Sequence, residues 1–460
     1  MVFDFIMIEF TAKRGRGYRE SQMAMWLTLV RVCRRWRSVV FGSPRRLNLN
    51  IVFKTEMPVR DTLDTWPALP LVIEDTFCRK AGLIALLERS ELVPRITQIA
   101  LWMVHLDDIS KAMEVPFPEL TYLKLYRSKY ETEPIVPLSD SFLGGSAPRL
   151  RYLDLDNIPF PGLPKLLSSA THLTSLHLED IPHSGYIPPE AMVACISVLT
   201  SLVILSLQFK SPQSRPDRES CRPPPSTRTA LPVLTHFLFR GVSEYLEALV
   251  ACVDCPRLIH IVITFFNYTV FDTPQFTRLI RDTSTFNPFN EARVSLVDAI
   301  AIIKLSSKPS GDRALNVEIL CLELDWQISF LEQLCGSSLS PLSALKDLYI
   351  DEQTYQQPVL EVNINNALWL ELLHFFTTVK NLFLSENIAT RVVPALQEVV
   401  GGRTTEVLPT LQNVFIEGLQ PSGHVQEVQE GIGKFVASRQ LTSQPIVVSR
   451  WDRDPSTTRL

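Results

Sequence analysis

Apolar residues return along this chain in one short pattern: an apolar residue, two others, a second apolar residue, one other, and a third. It appears as Leu120-x-x-Leu123-x-Leu125, Leu150-x-x-Leu153-x-Leu155, Leu173-x-x-Leu176-x-Leu178 and Leu202-x-x-Leu205-x-Leu207. The last two apolar positions lie two apart, as on one buried face of a strand, and the residue between them points the other way. Each return therefore predicts one short strand. Between strands the apolar spacing becomes helical, as at Leu163, Leu166 and Leu167, which predicts a strand, a turn and a return segment per unit.

The same form starts at Ile96-x-x-Ile99-x-Leu101 and continues through Leu234-x-x-Phe237-x-Phe239, Leu258-x-x-Ile261-x-Ile263, Val317-x-x-Leu320-x-Leu322, Leu345-x-x-Leu348-x-Ile350, Val379-x-x-Leu382-x-Leu384 and Leu411-x-x-Val414-x-Ile416. Consecutive starts are 23 to 34 residues apart, except for 59 between Leu258 and Val317, where 292–305 is expected to supply a degenerate strand. This is the pattern of a leucine-rich repeat, with several units longer than regular ones. The expected fold class is α/β: a solenoid with a curved parallel sheet and outer helices. The array is expected over 94–420. It is interrupted at 210–230, where Ser-Pro, Arg-Pro and Pro223-Pro224-Pro225 predict a flexible surface loop. Beyond it, 421–460 reads as a C-terminal cap and tail, with helical spacing at 425–436 and a last strand at Ile446-Val447-Val448.

Composition adds limits. With 46% hydrophobic and 20% charged residues, the chain can bury a large core. The net charge is −4, but residues 1–60 hold 12 Lys/Arg against 4 Asp/Glu, so the basic character is local. The eight cysteines are scattered without a disulfide framework, which points to a reducing compartment. No secretory signal and no membrane-length apolar run is present in the sequence. An intracellular protein, cytoplasmic or nuclear, without a membrane partner is the expectation.

At the N-terminus, 25–41 reads as an amphipathic helix with Trp26, Leu29, Val30, Cys33, Trp36 and Val40 on one stripe, stopped by Gly42-Ser43-Pro44. From the residues alone this is a helix that caps the first repeat. Val32-Cys33-Arg34-Arg35-Trp36, preceded by Trp26-Leu27-Thr28-Leu29-Val30, also resembles the second half of an F-box. Val2-Phe3-Asp4-Phe5 resembles the end of that motif's first helix, so Met1 falls inside it and the motif is truncated. The following Ser43–Leu49, Pro58–Asp64 and Trp66–Ile73 stretches resemble the linker of the expanded F-box families of basidiomycete fungi. The resemblance implies a partial F-box-like segment at 1–46 and a linker with N-terminal cap at 47–93. It also implies a substrate receptor of an SCF-type cullin-RING ubiquitin ligase, with Trp26, Leu29, Val32, Cys33 and Trp36 packing the F-box core or facing the adaptor subunit.

The chemistry of an enzyme is not expected: no catalytic, cofactor-binding or metal-binding residues are assigned. Gly431-Ile432-Gly433-Lys434 lacks the Ser/Thr and the first glycine of a phosphate loop. Cys252-x-x-Cys255 has no second ligand pair, and His172 and His177 fall on opposite faces of a strand. The candidate site is instead the strand face that alternation turns toward the concave side: Tyr122, Lys124, Tyr126, Tyr152, Asp154, Asp156, Ser175, His177, Glu179, Asp347, Tyr349, Asp351, and farther on Asn413, Phe415 and Glu417. Its acids and aromatics predict a target protein held through a basic segment, centred on Tyr122, Tyr152, Asp154 and Asp156. Two other readings stand beside this one. One is a leucine-rich scaffold without a ubiquitin role, and the other is RNA binding through Lys13-Arg14-Gly15-Arg16-Gly17-Tyr18-Arg19, which the shortness of the run disfavours.

Overall fold

The structure is a computed structural model of the chain. The described residues are 33–35, 37–38, 51–53, 70–75, 84, 86–102, 106–128, 136–212, 228–266, 273–283, 286, 289–297, 299–307, 313–337, 339, 342, 344–353, 366–398, 406–418, 423–441 and 444–452. They fall into two compact units, Met1–Ala170 and Thr171–Leu460.

In the first unit, β1 (Ile51–Phe53), β2 (Leu71–Asp75), β3 (Ile96–Trp102), β4 (Tyr122–Tyr126) and β5 (Tyr152–Asp156) form a parallel ladder in chain order. The cause is visible in the pattern. Ile99 and Leu101, Leu123 and Leu125, Leu153 and Leu155 all turn inward and are buried, each removing enough apolar surface from water to contribute roughly 1.5–3 kcal/mol. The ladder begins earlier than Pro94, since the expected linker and cap at 47–93 already supplies β1 and β2. Leu71, Val72 and Ile73 are all buried, so β2 has no alternation for a two-residue period to reveal. Thr97 and Thr121, next to the first apolar position of their units, reach back with their hydroxyls to the carbonyls of Leu71 and Thr97 at 3.2 and 3.0 Å. These side-chain bonds tie one unit's strand entry to the one before it.

The second unit contains β6 (Ser175–Ile181), β7 (Ile204–Phe209), β8 (Thr229–Ala230), β9 (His236–Gly241), β10 (Val253–Asp254), β11 (His260–Phe266), β12 (Glu291–Val297), β13 (Ile300–Ser306), β14 (Ala314–Leu320), β15 (Asp347–Gln353), β16 (Asn381–Leu384), β17 (Asn413–Glu417) and β18 (Val447–Trp451). Its sheet runs β6-β7-β9-β11-β14-β13-β12-β15-β16-β17-β18, while β8 and β10 pair separately. The end of the expected loop at 210–230 is therefore strand, and 213–227 lies outside the described residues.

The stretch 292–305 was expected to give one degenerate strand and gives two. β12 and β13 pair antiparallel, and β13 pairs antiparallel with β14, which is parallel to β11. The chain thus skips two strand positions after β11, returns through a three-strand meander, and then resumes the parallel ladder from β12 to β15. The Val317 unit is also out of register. Ile261 pairs with Leu315 and Ile263 with Val317, so Leu315 and Val317 turn inward while Leu322 is 85% exposed. Apolar residues at 314, 315, 317, 319, 320 and 322 permit more than one register. The pairings Leu305 with Leu315 and Ile303 with Val317 select this one.

Return helices close the other side of the core. Leu163–Ser169 buries Leu163, Leu166 and Leu167, as their spacing predicts, and Ser243–Ala251 buries Tyr245, Leu246, Leu249 and Val250. The helix Gly423–Leu441 packs against Glu386–Glu398. A Cβ at Gly431 would collide there with Val393 and Gln397, so Gly431-Ile432-Gly433-Lys434 lies inside a helix at a close helix crossing. Among the described residues, no helix is long and apolar enough to cross a membrane.

Candidate functional site

The outward face of β3, β4 and β5 follows directly from strand register. Parallel pairing aligns Gln98, Tyr122 and Tyr152 in one row, Ala100, Lys124 and Asp154 in the next, and Trp102, Tyr126 and Asp156 in a third. Neighbouring strands lie about 4.8 Å apart, which is close to the separation of stacked rings. Tyr122 and Tyr152 accordingly stack with centroids 4.4 Å apart and planes 6° from parallel.

The middle row carries the charge. Lys124 Nζ lies 2.5 Å from Asp154 Oδ2, and the Tyr152 hydroxyl donates to the same oxygen at 3.0 Å. The ammonium also sits 5.3 Å from the centre of the Trp102 ring, a cation over an aromatic face. Trp102 leans on Tyr126 at 5.4 Å and is 40% exposed. Burial, then the Asp154 carboxylate, then Tyr122, push the Tyr152 phenol far above its ordinary ionisation range, so it remains a donor at any physiological pH. The result is a half-buried aromatic surface with an internally balanced ion pair at its centre.

This changes the meaning of one predicted residue. Asp154 lies on the expected face, but it is buried and engaged by Lys124 and Tyr152. The aspartate organises the face and does not present a charge to a partner. Asp351 likewise falls on the expected side of its strand and is fully buried. The predicted face also divides between the two units. Tyr122, Lys124, Tyr126, Tyr152, Asp154 and Asp156 belong to the first, whereas His177, Glu179, Asp347, Tyr349 and Asp351 belong to the second. In the second, half-buried His177 lies 3.9 Å from Glu179 through Nδ1, and Tyr349 opens a stacked row with Phe383 and Phe415.

Sequence reasoning missed Trp102, although it occupies the seventh position of the Ile96 unit, where the same rule picks out Tyr126 and Asp156. It also missed Phe383, the fifth position of the Val379 unit, and Trp451 on the last strand. Arg293 had no such signal, because the strand carrying it lacks the repeat pattern.

At the N-terminus, Cys33 is exposed, and the Arg37 amide donates to its carbonyl at 3.1 Å in a helical turn. Trp26, Leu29, Val32 and Trp36 lie outside the described residues. Cys255 is buried and Cys252 half-buried, on either side of β10. Among the described residues, no group of three or more His, Cys, Asp or Glu side chains could hold a metal ion.

No family model and no curated protein matches the sequence. Similar solved structures include the leucine-rich repeat-containing protein LegL7 from Legionella pneumophila, 8% identical over 83% of this chain and 97% of that one, with a TM-score of 0.28. A Rad7 and Elc1 complex in yeast is 12% identical over 91% and 93%, with a TM-score of 0.27. A TLR13-ssRNA13 complex is 10% identical over 78% and 44%, with a TM-score of 0.27. Identities this low transfer no residue's role, and the site rests on its own geometry.

Proposed function

We propose that this chain is a non-enzymatic recognition subunit: the face of β3 to β5 binds a target protein, and the F-box-like N-terminal segment docks the adaptor of an SCF-type cullin-RING ubiquitin ligase. The observation that carries target binding is the cluster of Trp102, Tyr122, Tyr126 and Tyr152 around the Lys124–Asp154 pair. Tyrosine and tryptophan offer large contact area with few rotatable bonds, and a partner that covers them loses little side-chain entropy. Ring stacking and the ion pair hold these side chains in place before a partner arrives, which lowers the cost of ordering on association.

The adaptor half of the reading is supported by the resemblance of residues 2–5 and 26–36 to an F-box. The parallel repeat ladder, which needs no F-box to bind a partner, supports the second reading, a leucine-rich scaffold that binds its target with no ubiquitin ligase attached. One experiment separates them. Purified adaptor is titrated onto the full chain and onto Trp36→Ala, with Trp102→Ala as control. Saturable binding that weakens only in Trp36→Ala supports the ligase subunit. No adaptor binding, with target binding still sensitive to Trp102→Ala, leaves the scaffold.

A further inference from the structure

The second unit carries an aromatic ladder whose Tyr349, Phe383 and Phe415 occupy the fifth positions of their repeat units, while Arg293 and Trp451 come from strands outside the pattern. Register aligns Arg293, Tyr349, Phe383 and Phe415 across β12, β15, β16 and β17. Tyr349 and Phe383 stack at 4.2 Å and 10°, Phe383 and Phe415 at 4.5 Å and 9°. Trp451, from β18, crosses the row at 5.8 Å from Tyr349 and 5.7 Å from Phe383, with its plane turned 56° and 66° from theirs. All four rings remain partly exposed.

Two observations fix what this surface would hold. The first is charge. On the outward rows of β15 to β18, the register gives Asp347, Asn381, Asn413 and Val447 on one side of the rings, and Glu417 and Trp451 on the other. Those rows contain carboxylates and no lysine or arginine. Asp347 accepts from Asn381 Nδ2 at 2.6 Å, and Asn381 Oδ1 accepts from Asn413 Nδ2 at 2.8 Å, which fixes the carboxylate's orientation. On the adjoining strand the Glu291 carboxyl is shifted upward by burial, which Arg293 opposes and Asp347 reinforces. The second is a cation already in place. The Arg293 guanidinium lies 5.0 Å from the centre of the Tyr349 ring, at the first rung of the ladder.

We infer that this ladder is a second recognition site, and that it takes an arginine-bearing segment of a protein partner. Its guanidinium groups would lie against Phe415 and Trp451 as Arg293 lies on Tyr349, with Asp347 and Glu417 as counter-charges. A guanidinium suits the site better than an ammonium because it is planar, less strongly hydrated and able to stack on rings. The acidic flanks disfavour a nucleic acid. The inference does not rest on the adaptor reading or on the face of the first unit.

The test is fluorescence anisotropy of the full chain with a labelled peptide of alternating arginine and glycine, its lysine counterpart, and a labelled polyuridine. The arginine peptide is expected to bind, the lysine peptide more weakly, and the RNA least. Phe415→Leu with Trp451→Ala should weaken the arginine peptide roughly tenfold, about 1.4 kcal/mol. The conservative pair Asp347→Asn and Glu417→Gln, which leaves side-chain size unchanged, should weaken it several-fold, and Trp102→Ala should leave it unchanged. Wild-type affinity in both double variants, or tighter binding of RNA than of the arginine peptide, overturns the inference. If Trp102→Ala abolishes binding while both double variants retain it, the site belongs to the first unit, and this inference falls while the proposed function stands.

Discussion

Replacing Lys124 by methionine keeps the length of the side chain and removes its charge, leaving Asp154 with Tyr152 alone. The Asp154 side chain is 5% exposed and that of Lys124 26%, so the two groups respond differently to losing each other. A buried carboxylate stripped of its cation cannot reach water, whereas the ammonium can swing outward. Lys124→Met should therefore cost about 2–4 kcal/mol and Asp154→Leu only about 1–2 kcal/mol. The double replacement removes both charges and restores an apolar contact, so it should cost less than Lys124→Met alone, a coupling of about 2 kcal/mol. Hydrogen exchange on the full chain, read by mass spectrometry over residues 122–126 and 152–156, measures this locally without assuming two-state unfolding of a long repeat protein. Protection should fall more than tenfold in Lys124→Met and recover in the double variant. If the single effects simply add, within about 0.5 kcal/mol, the pair does not organise the face as argued.

Further outcomes follow from other contacts. Arg439 is fully buried and donates to the carbonyls of Val407 and Leu408 and to Gln444; Arg439→Leu should cost about 3 kcal/mol through stranded carbonyls, seen as a fall in thermal midpoint. Gly431→Leu should cost about 1–3 kcal/mol by overpacking the helix crossing, and a midpoint unchanged from wild type would contradict the close approach. Burial, followed by Glu291 and Asp347, pushes the Tyr349 phenol up to about 12. Its contribution to stability is complete below the unfolded value near 10 and disappears as pH rises through about 12, so Tyr349→Phe should flatten that part of a stability–pH curve. His260 is depressed by burial, then by His236 and Lys304; its contribution is present above its unfolded value near 6.5 and lost as pH falls through the lower folded value, a loss His260→Gln should reduce.

Most of the strand ladder was legible because leucines two apart betray a half-buried strand, and the same alternation placed Tyr122, Lys124, Tyr126, Tyr152 and Asp156 on one outward face. The failures share a physical origin. β2 is apolar on both faces, and 314–322 supports several registers, so in neither place does local periodicity select one solution; contacts with β3 and β13 do. The role of Asp154 was hidden for a related reason. Its partners Lys124 and Tyr152 stand 30 and 2 residues away, and only the register between β4 and β5 turns an outward acid into an internal anchor. Arg293 joined the second ladder through a meander whose strand order no nearest-neighbour reading of the repeats supplies.

If a target protein lies on the outward strand face of the first unit, it must cover β3 to β5. The direct measurement is a hydrogen-exchange footprint of the full chain with a target recovered by proximity labelling, compared between wild type and Trp102→Ala. Target binding should slow exchange over residues 98–102, 122–126 and 152–156, and that slowing should be lost in the variant. Slowing confined to residues 210–230, or unaltered by Trp102→Ala, would contradict that placement.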